Sequence, residues 1–342
     1  MTGYFLRRLL LIVPTFLGIT LAAFVLMHFV PGGPVERQIA RYRMAVAAEG
    51  GAVGGGDITT EIPAEALAEM QRFYGFDKPV HIRYALWLWN LLRLDLGRSY
   101  VFQEPVWDVI RSRFPVSIFL GLTGFILSYV VCIPLGVFKA IRHGSKFDFI
   151  TSFIVFLGYS VPGWALGMAL LVLFGGGSFW DVFPLGGFRP NNWQSLSLWG
   201  KILGQIHHMI LPVFCYMLGS FATLTILMKN SLMENLGQDY VRTAFAKGLD
   251  ERRVVFVHAL RNSLIPIATG LGHFISLILA GSFLIEKVFN IDGMGLLGYQ
   301  SILQRDYPVA LGILVISSVL MLIGNILSDI IYVVVDPRIR FR

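Results

Sequence analysis

Charge is scarce in this sequence. Only 14% of its 342 residues are Asp, Glu, Lys or Arg, where a soluble domain carries about 25%, and mean hydropathy is +0.67. That shortage argues against the two or three soluble domains that length alone would permit. Cysteine is rarer still: Cys132 and Cys215 both fall inside apolar runs, so neither a structural disulfide nor a cysteine metal site is expected. The chain also lacks a G-x-x-x-x-G-K-[ST] phosphate loop, an H-E-x-x-H pair and a G-x-S-x-G elbow. Seven histidines are scattered, and in the one adjacent pair, His207-His208, the rings point in different directions on a helix. We assign no catalytic, cofactor-binding or metal-binding residue and do not expect an enzyme.

What the chain has instead is length in its apolar runs. Six of them, 9–30, 116–138, 149–174, 209–228, 265–285 and 309–335, can cross a hydrocarbon core about 30 Å thick, which takes roughly 20 helical residues. Membrane β-barrels show short segments of alternating polarity, whereas these runs are continuous. The expectation is an all-α polytopic membrane protein with six transmembrane helices. The first run exceeds a signal-peptide h-region and ends in Val30-Pro31-Gly32-Gly33-Pro34, with no A-x-A-like cleavage site, so it is read as a retained helix.

The formal net charge of +7 invites a nucleic-acid reading, but its distribution points to topology. Placing the N-terminus inside puts Arg7, Arg8, Lys139, Arg142, Lys146, the basic stretch 229–264 and Arg338, Arg340 and Arg342 on one side, 14 Lys/Arg in all. The short opposite loops hold only Arg189, Lys201, Lys287 and Arg305. The loop 31–114 is too long, beyond about 60 residues, to count in such a tally. Both termini are therefore expected in the cytoplasm, with no nucleic-acid partner.

The chain divides into 1–31, the N-terminus and first helix; 32–114, a large external loop; and 115–342, a five-helix core with a cytoplasmic loop at 229–264. Within 32–114, five glycines in residues 50–56 favour a flexible connector. A helix is expected over 63–72. Another is expected over 80–94, with Val80, Tyr84, Trp87, Leu91 and Leu94 on one face. Tyr84, Trp87 and Trp89 suit a membrane interface, and a small external subdomain packed on itself suits them equally. The loop 175–208 reads as a structured external cap.

The stretch 239–266, DYVRTAFAKGLDERRVVFVHALRNSLIP, is basic yet lies between two lipid-length runs. Val241, Phe245 and Leu249 repeat at i+4, and Val254, Val257 and Leu260 or Arg261 continue a helical rhythm after a break at Gly248. Glycine ends one helix and launches another, Asp250 can cap the second, and Pro266 stands where the next membrane helix begins. We expect two short helices bent at Gly248.

In residue order this stretch resembles the cytoplasmic "EAA" loop of ABC importer permeases, whose general pattern is E-A-A-x-x-x-G. Arg242, Thr243 and Ala244 stand at the E-A-A positions and Gly248 at the glycine. The glutamate is absent, and Thr243-Ala244-Phe245-Ala246-Lys247-Gly248-Leu249 is similar to the T-A-x-A-K-G-L variant of the peptide and nickel importer branch. "YFLRRLLLIVPT" followed by "PGGP", "YGFDKPVHIRYALWLWNLLRLDLGRS", "FPVSIFLGL", "LIEKVFNIDGMGLLGYQSILQRDYPV" and "NILSDIIYVVVDPRI" resemble that branch's other signatures in order. The longer first loop looks most like the Yej-type permeases of microcin C and oligopeptide uptake.

The resemblance implies the ABC type I importer permease fold in the bacterial inner membrane. It also implies that Arg242, Thr243, Ala244, Ala246, Lys247 and Gly248 form a coupling helix docking on a cytoplasmic ATP-binding subunit. Arg242 and Lys247 would meet acidic or carbonyl groups there, and Ala244 and Ala246 would permit close approach. The implied partners are that ATPase, a second homologous permease, a periplasmic peptide-binding protein, membrane lipid and the peptide itself. ATP and Mg would be held by the ATPase and no cofactor by this chain. Dipeptides, glutathione or nickel are the alternative cargo. An ion-driven secondary transporter relaying protons through Asp329 and His273 is the rival class, and it has no use for a docking helix. Thr223, Thr225, His273 and Ser276 are candidates for lining the pathway, with helix–helix hydrogen bonding the other reading. Asp329, with Asn325 and Ser328, is read as structural. Pro134 and Pro162 are expected to kink the second and third helices.

Overall fold

The computed structural model describes residues 2–29, 39, 77–176, 179–270 and 281–335. Among them the chain is helical, without a β-strand. The helices are α1 (Thr2–Phe29), α2 (Val80–Leu92), α3 (Val106–Ile141), α4 (Lys146–Ser160), α5 (Gly163–Phe174) and α6 (Leu198–Leu236). After them come α7 (Asp239–Ala246), α8 (Glu251–Arg253), a π-helical turn (Val254–Ala259), α9 (Leu260–Ser263) and α10 (Ile265–Thr269). Last are α11 (Phe283–Val288), α12 (Met294–Leu303) and α13 (Tyr307–Val335).

Four helices are long and apolar enough to cross a membrane, at Leu6–Met27, Val106–Ile141, Leu198–Leu236 and Tyr307–Ile331. The third expected span is broken. Residues α4 and α5 meet at 97°, because Pro162 has no N–H to donate and drives Val161 before it into an extended conformation, φ −100° and ψ 121°. Pro134, by contrast, lies inside the unbroken run of α3. The fifth expected span shows its two ends, α10 and the start of α11; residues 271–280 lie outside the described residues. The six expected spans are thus represented by four helices and one bent pair among the described residues. The expected helix at 63–72 and the glycine-rich 50–56 also lie outside them.

The fold separates into two compact units. The first comprises Met1–Leu10, Arg113–Leu297 and Val319–Arg342. Its core is the α3–α6 contact, made close by small residues four apart on α3: Gly124, Ser128, Cys132 and Gly136. Ser220 donates its hydroxyl to Ser128 at 3.1 Å. A Cβ on Gly136 would stand 2.6 Å from the Met228 Cβ and 2.8 Å from the Thr225 carbonyl oxygen, so only glycine lets the backbones come this near. Such small-residue seams drive helix association where lipid removes the hydrophobic incentive. Near the end of α13, Asp329 forms an ion pair with Arg8 of α1. Arg8 also donates to the Asn325 carbonyl at 3.4 Å. This is the structural partnership expected for Asp329.

The second unit comprises Leu11–Ser112 and Gly298–Ser318. Ala23 and Phe24 of α1, Leu311 and Leu314 of α13, and Val80, Tyr84 and Trp87 of α2 form its apolar core. The aromatic group expected at an interface is therefore split: Tyr84 and Trp87 pack inward, and Trp89 stays 55% exposed. Leu94 leaves the expected helical face; it follows the end of α2 with φ +61°. Two resemblance motifs far apart in sequence meet here. The buried carboxylate of Asp306, from "RDYP", accepts from the Ser99 hydroxyl and the Tyr100 and Val101 amides of "LGRSYV".

Candidate functional site

The basic stretch belongs to the first unit and is anchored at both ends. At its start, Lys229 donates to both carboxylate oxygens of Asp148 at 2.8 and 2.7 Å. Lys139 of α3, only 1% exposed, pairs with the same carboxylate at 3.0 Å and donates to Thr151 and Ser152. Lys139, counted above as a loop cation, is thus an interior one. Two lysines on one carboxylate tie α3, α4 and α6 together. Further on, the Ser231 hydroxyl donates to the Ser263 carbonyl at 2.9 Å and the Ser263 hydroxyl returns a bond to the Ser231 carbonyl at 3.3 Å. The excursion between them is clamped at its base.

Within the excursion, α7 ends in a Schellman motif. The Gly248 amide donates to the Phe245 carbonyl at 2.9 Å and the Leu249 amide to the Ala244 carbonyl at 3.4 Å. Gly248 has φ +77°, a left-handed conformation that costs other L-residues energy. Asp250 then caps α8, its carboxylate accepting from the Arg252 amide at 3.2 Å. The expected bend at Gly248 is present. Val241, Ala244, Val254 and Ala259 face inward onto Cys132, Leu224, Met228 and Leu232, with Leu249 packed against them. The elbow is braced on α3 and α6 rather than free.

The inward and outward sets differ from the i+4 series read in the sequence. Phe245 is 46% exposed because the inward face of α7 runs through Val241 and Ala244, three apart, instead. Val257 is 55% exposed because the π-turn widens the helix and brings Val254, Val255 and Ala259 inward instead. Of the six residues assigned to docking, Arg242, Thr243, Ala246, Lys247 and Gly248 are exposed. Ala244 is buried at 7% within the chain's own core, so its small size serves internal packing and offers no surface for close approach. Tyr240, Phe245 and Phe256 are exposed aromatics, and of them the sequence reading named only Phe245, as part of the i+4 series. Nothing in the residues beside them sets an outward-facing ring apart from an inward-facing one.

Of the four pathway residues, Thr223 and Thr225 fall among the described residues. Thr223 is exposed on α6. Thr225 is wholly buried, and its backbone takes part in the close α3–α6 approach, so it lines no aqueous surface. His273 and Ser276 lie outside the described residues. His207 and His208 bond the backbone carbonyls of Val182 and Gly204, and no group of three or more metal-ligating side chains occurs among the described residues. Asp329 forms its ion pair with Arg8.

Another buried acid marks the "EKVF…DGMG" signature. Glu286 is fully buried and accepts from the Leu296 amide at 2.6 Å, from the Ser282 amide at 3.3 Å and from the Tyr216 hydroxyl at 3.3 Å. A Cβ on Gly293 would stand 2.6 Å from its carboxyl carbon. The glycine of this signature makes room for the carboxylate, which in turn holds the start of α12.

A helical chain that crosses the membrane repeatedly, with a rigid polar elbow braced on its span-forming helices, has the parts of a transporter's membrane component. Residues 132–341 match the family of binding-protein-dependent transport system inner membrane components, and the chain belongs to that family. It is 42% identical over 360 aligned positions to the peptidoglycan transport system permease protein YejB of Agrobacterium fabrum, covering 100% of this chain and 99% of that one. It is 40% identical to the inner membrane ABC transporter permease protein YejB of Escherichia coli O157:H7 over the full length of both. The dipeptide transport system permease protein DppB of Escherichia coli K12 is 35% identical, again over both full lengths. The chain is an ABC importer permease of the inner membrane, a class that works with an ATPase and a substrate-binding protein.

Proposed function

We propose that this chain carries peptides across the inner membrane as one of two homologous permease subunits, with both termini and the Lys229–Ser263 excursion in the cytoplasm. The observation that supports the coupling role is the braced elbow. Arg242, Thr243, Phe245, Ala246 and Lys247 project from a helix whose inward face is bolted to α3 and α6. A stiff projection transmits displacement; a loose loop would absorb it. When two ATPase subunits close on nucleotide, the elbows are drawn together and the attached helices tilt, opening the pathway to one side and then the other. Arg242 and Lys247 supply charge for acidic or carbonyl groups on the ATPase, and Phe245 supplies an apolar knob. ATP and Mg belong to the ATPase, and no bond is broken by this chain. Peptide as cargo is supported by full-length similarity to permeases named for peptidoglycan and dipeptide transport.

The test is uptake of a panel of defined peptides by a strain deleted for this chain, with and without its restoration. The strain is also restored beside an ATPase partner whose phosphate-loop lysine is replaced. Restoration should recover peptide uptake, and the disabled ATPase should abolish it. Recovery that persists with the disabled ATPase overturns the coupling mechanism, and recovery of no peptide overturns the cargo.

A further inference from the structure

Helix α2 has two opposite apolar sides, and among the described residues only one of them is covered. Val80, Tyr84 and Trp87 pack into the second unit's core and Leu91 is buried. The opposite face carries Ile82, Leu86, Trp89 and Leu92, which are 41, 43, 55 and 70% exposed. His81, Arg83 and Asn90 lie on the flanks between the two apolar faces, and a contiguous apolar face marks a surface that something else covers. With 13 residues, at 1.5 Å each, α2 is about 20 Å long, too short to span about 30 Å of hydrocarbon.

Its contacts set its depth. The inner face meets α1 at Ala23, Phe24 and Met27 and α13 at Leu311 and Leu314. The Tyr84 hydroxyl lies 3.1 Å from the Thr20 hydroxyl and 3.4 Å from the Leu17 carbonyl. The apolar spans run Leu6–Met27 in α1 and Tyr307–Ile331 in α13. Thr20 therefore sits about 10 Å before the end of one span and Leu314 about 10 Å past the start of the other, at 1.5 Å per residue. Helix α2 thus runs beside the last turns of α1 and the first turns of α13 rather than above them. Tyr84 fits that depth: its hydroxyl finds protein partners, as a polar group in hydrocarbon must. At the same depth α1 exposes Leu17, Leu21 and Leu26, a face suited to lipid. At the C-terminal end of α2, the Arg93 guanidinium lies over the Trp89 ring, 4.8 Å from its centroid. An indole beside a snorkelling cation suits the level of lipid headgroups.

We infer that α2 is an interfacial helix seated in the leaflet at the C-terminal end of α1. Ile82, Leu86, Trp89 and Leu92 lie against acyl chains, and Arg93 reaches the headgroup phosphates. The occupant of the uncovered face is lipid rather than another protein, because the face lies at the depth of hydrocarbon-crossing helices and beside an apolar face of α1. This placement does not depend on which substrate the chain carries.

Nitroxide labels at Ile82→Cys and Leu86→Cys, in the assembled transporter reconstituted in lipid nanodiscs, test the placement. A label at exposed Glu104→Cys reports water. Cys132 and Cys215 are buried and stay in place. The ratio of collisions with oxygen to collisions with a water-soluble nickel chelate should be several-fold higher at residues 82 and 86 than at 104. Nickel accessibility equal to that at 104 overturns the inference by placing the face in water. Immobilised labels shielded from both reagents overturn it by placing a protein subunit there. Should either variant fail to assemble, Leu92→Cys on the same face gives the same reading.

Discussion

Gly248 offers the sharpest test of the elbow. Its φ of +77° is the left-handed conformation, and a Cβ built there meets nothing within 4 Å. Substitution therefore produces no clash within the chain, only backbone strain. For an ordinary L-residue that strain is roughly 1–2 kcal/mol, which shifts the bent-to-relaxed population by a factor of about 5–30. Asparagine tolerates the left-handed region better than alanine, and a β-branched valine is worst. The permease itself should insert and assemble, because Val241, Ala244 and Val254 still hold the excursion to α3 and α6. In proteoliposomes containing the whole transporter, peptide uptake per ATP hydrolysed should fall in the order Gly248→Asn, Gly248→Ala, Gly248→Val. Melting of the purified permease should change little. Uptake per ATP that is unchanged in a correctly inserted Gly248→Val variant would refute the claim that the bent elbow is what the ATPase grips.

Three further outcomes are expected. Reversing both cations, Arg242→Glu with Lys247→Glu, should reduce copurification of the ATPase and make the residual association less sensitive to salt; both residues are exposed, so expression should hold. Asp148→Asn leaves buried Lys139 and nearly buried Lys229 without their shared counter-charge. Breaking a buried pair by removing one partner costs about 3–5 kcal/mol, so the detergent-solubilised permease should melt at a clearly lower temperature, and an unchanged melt would show that the cluster is not structural. Gly293→Ala places a methyl 2.6 Å from the Glu286 carboxyl carbon. The Leu296 amide then loses its buried acceptor at a cost of about 1–3 kcal/mol, read as faster hydrogen exchange at the start of α12.

Much of the architecture was legible in the residues. The apolar runs had to cross lipid, since no other environment covers twenty consecutive apolar side chains. Gly248 followed by Asp250 announced a helix stop and a helix start, and both took the expected form. Burial of the individual side chains was not legible. Phe245 and Val257 continued a helical rhythm in sequence, but α7 buries Val241 and Ala244 instead and the next turn widened into a π-turn, and both side chains faced outward. Ala244 read as a docking surface and is a core residue. Lys139 read as a loop charge and is an interior one, because its partner Asp148 comes from the next helix.

Local rules operate over a few residues, so the sequence by itself determined the helical class, the runs that cross lipid and the bend at Gly248. Only the tertiary structure decided which residues meet across long separations. Examples are Asp306 with Ser99, Arg8 with Asp329, Lys229 with Asp148, and Gly136 against Met228. Those pairings depend on how whole helices pack, and packing is selected by the fit of many side chains at once rather than by any one residue's preference.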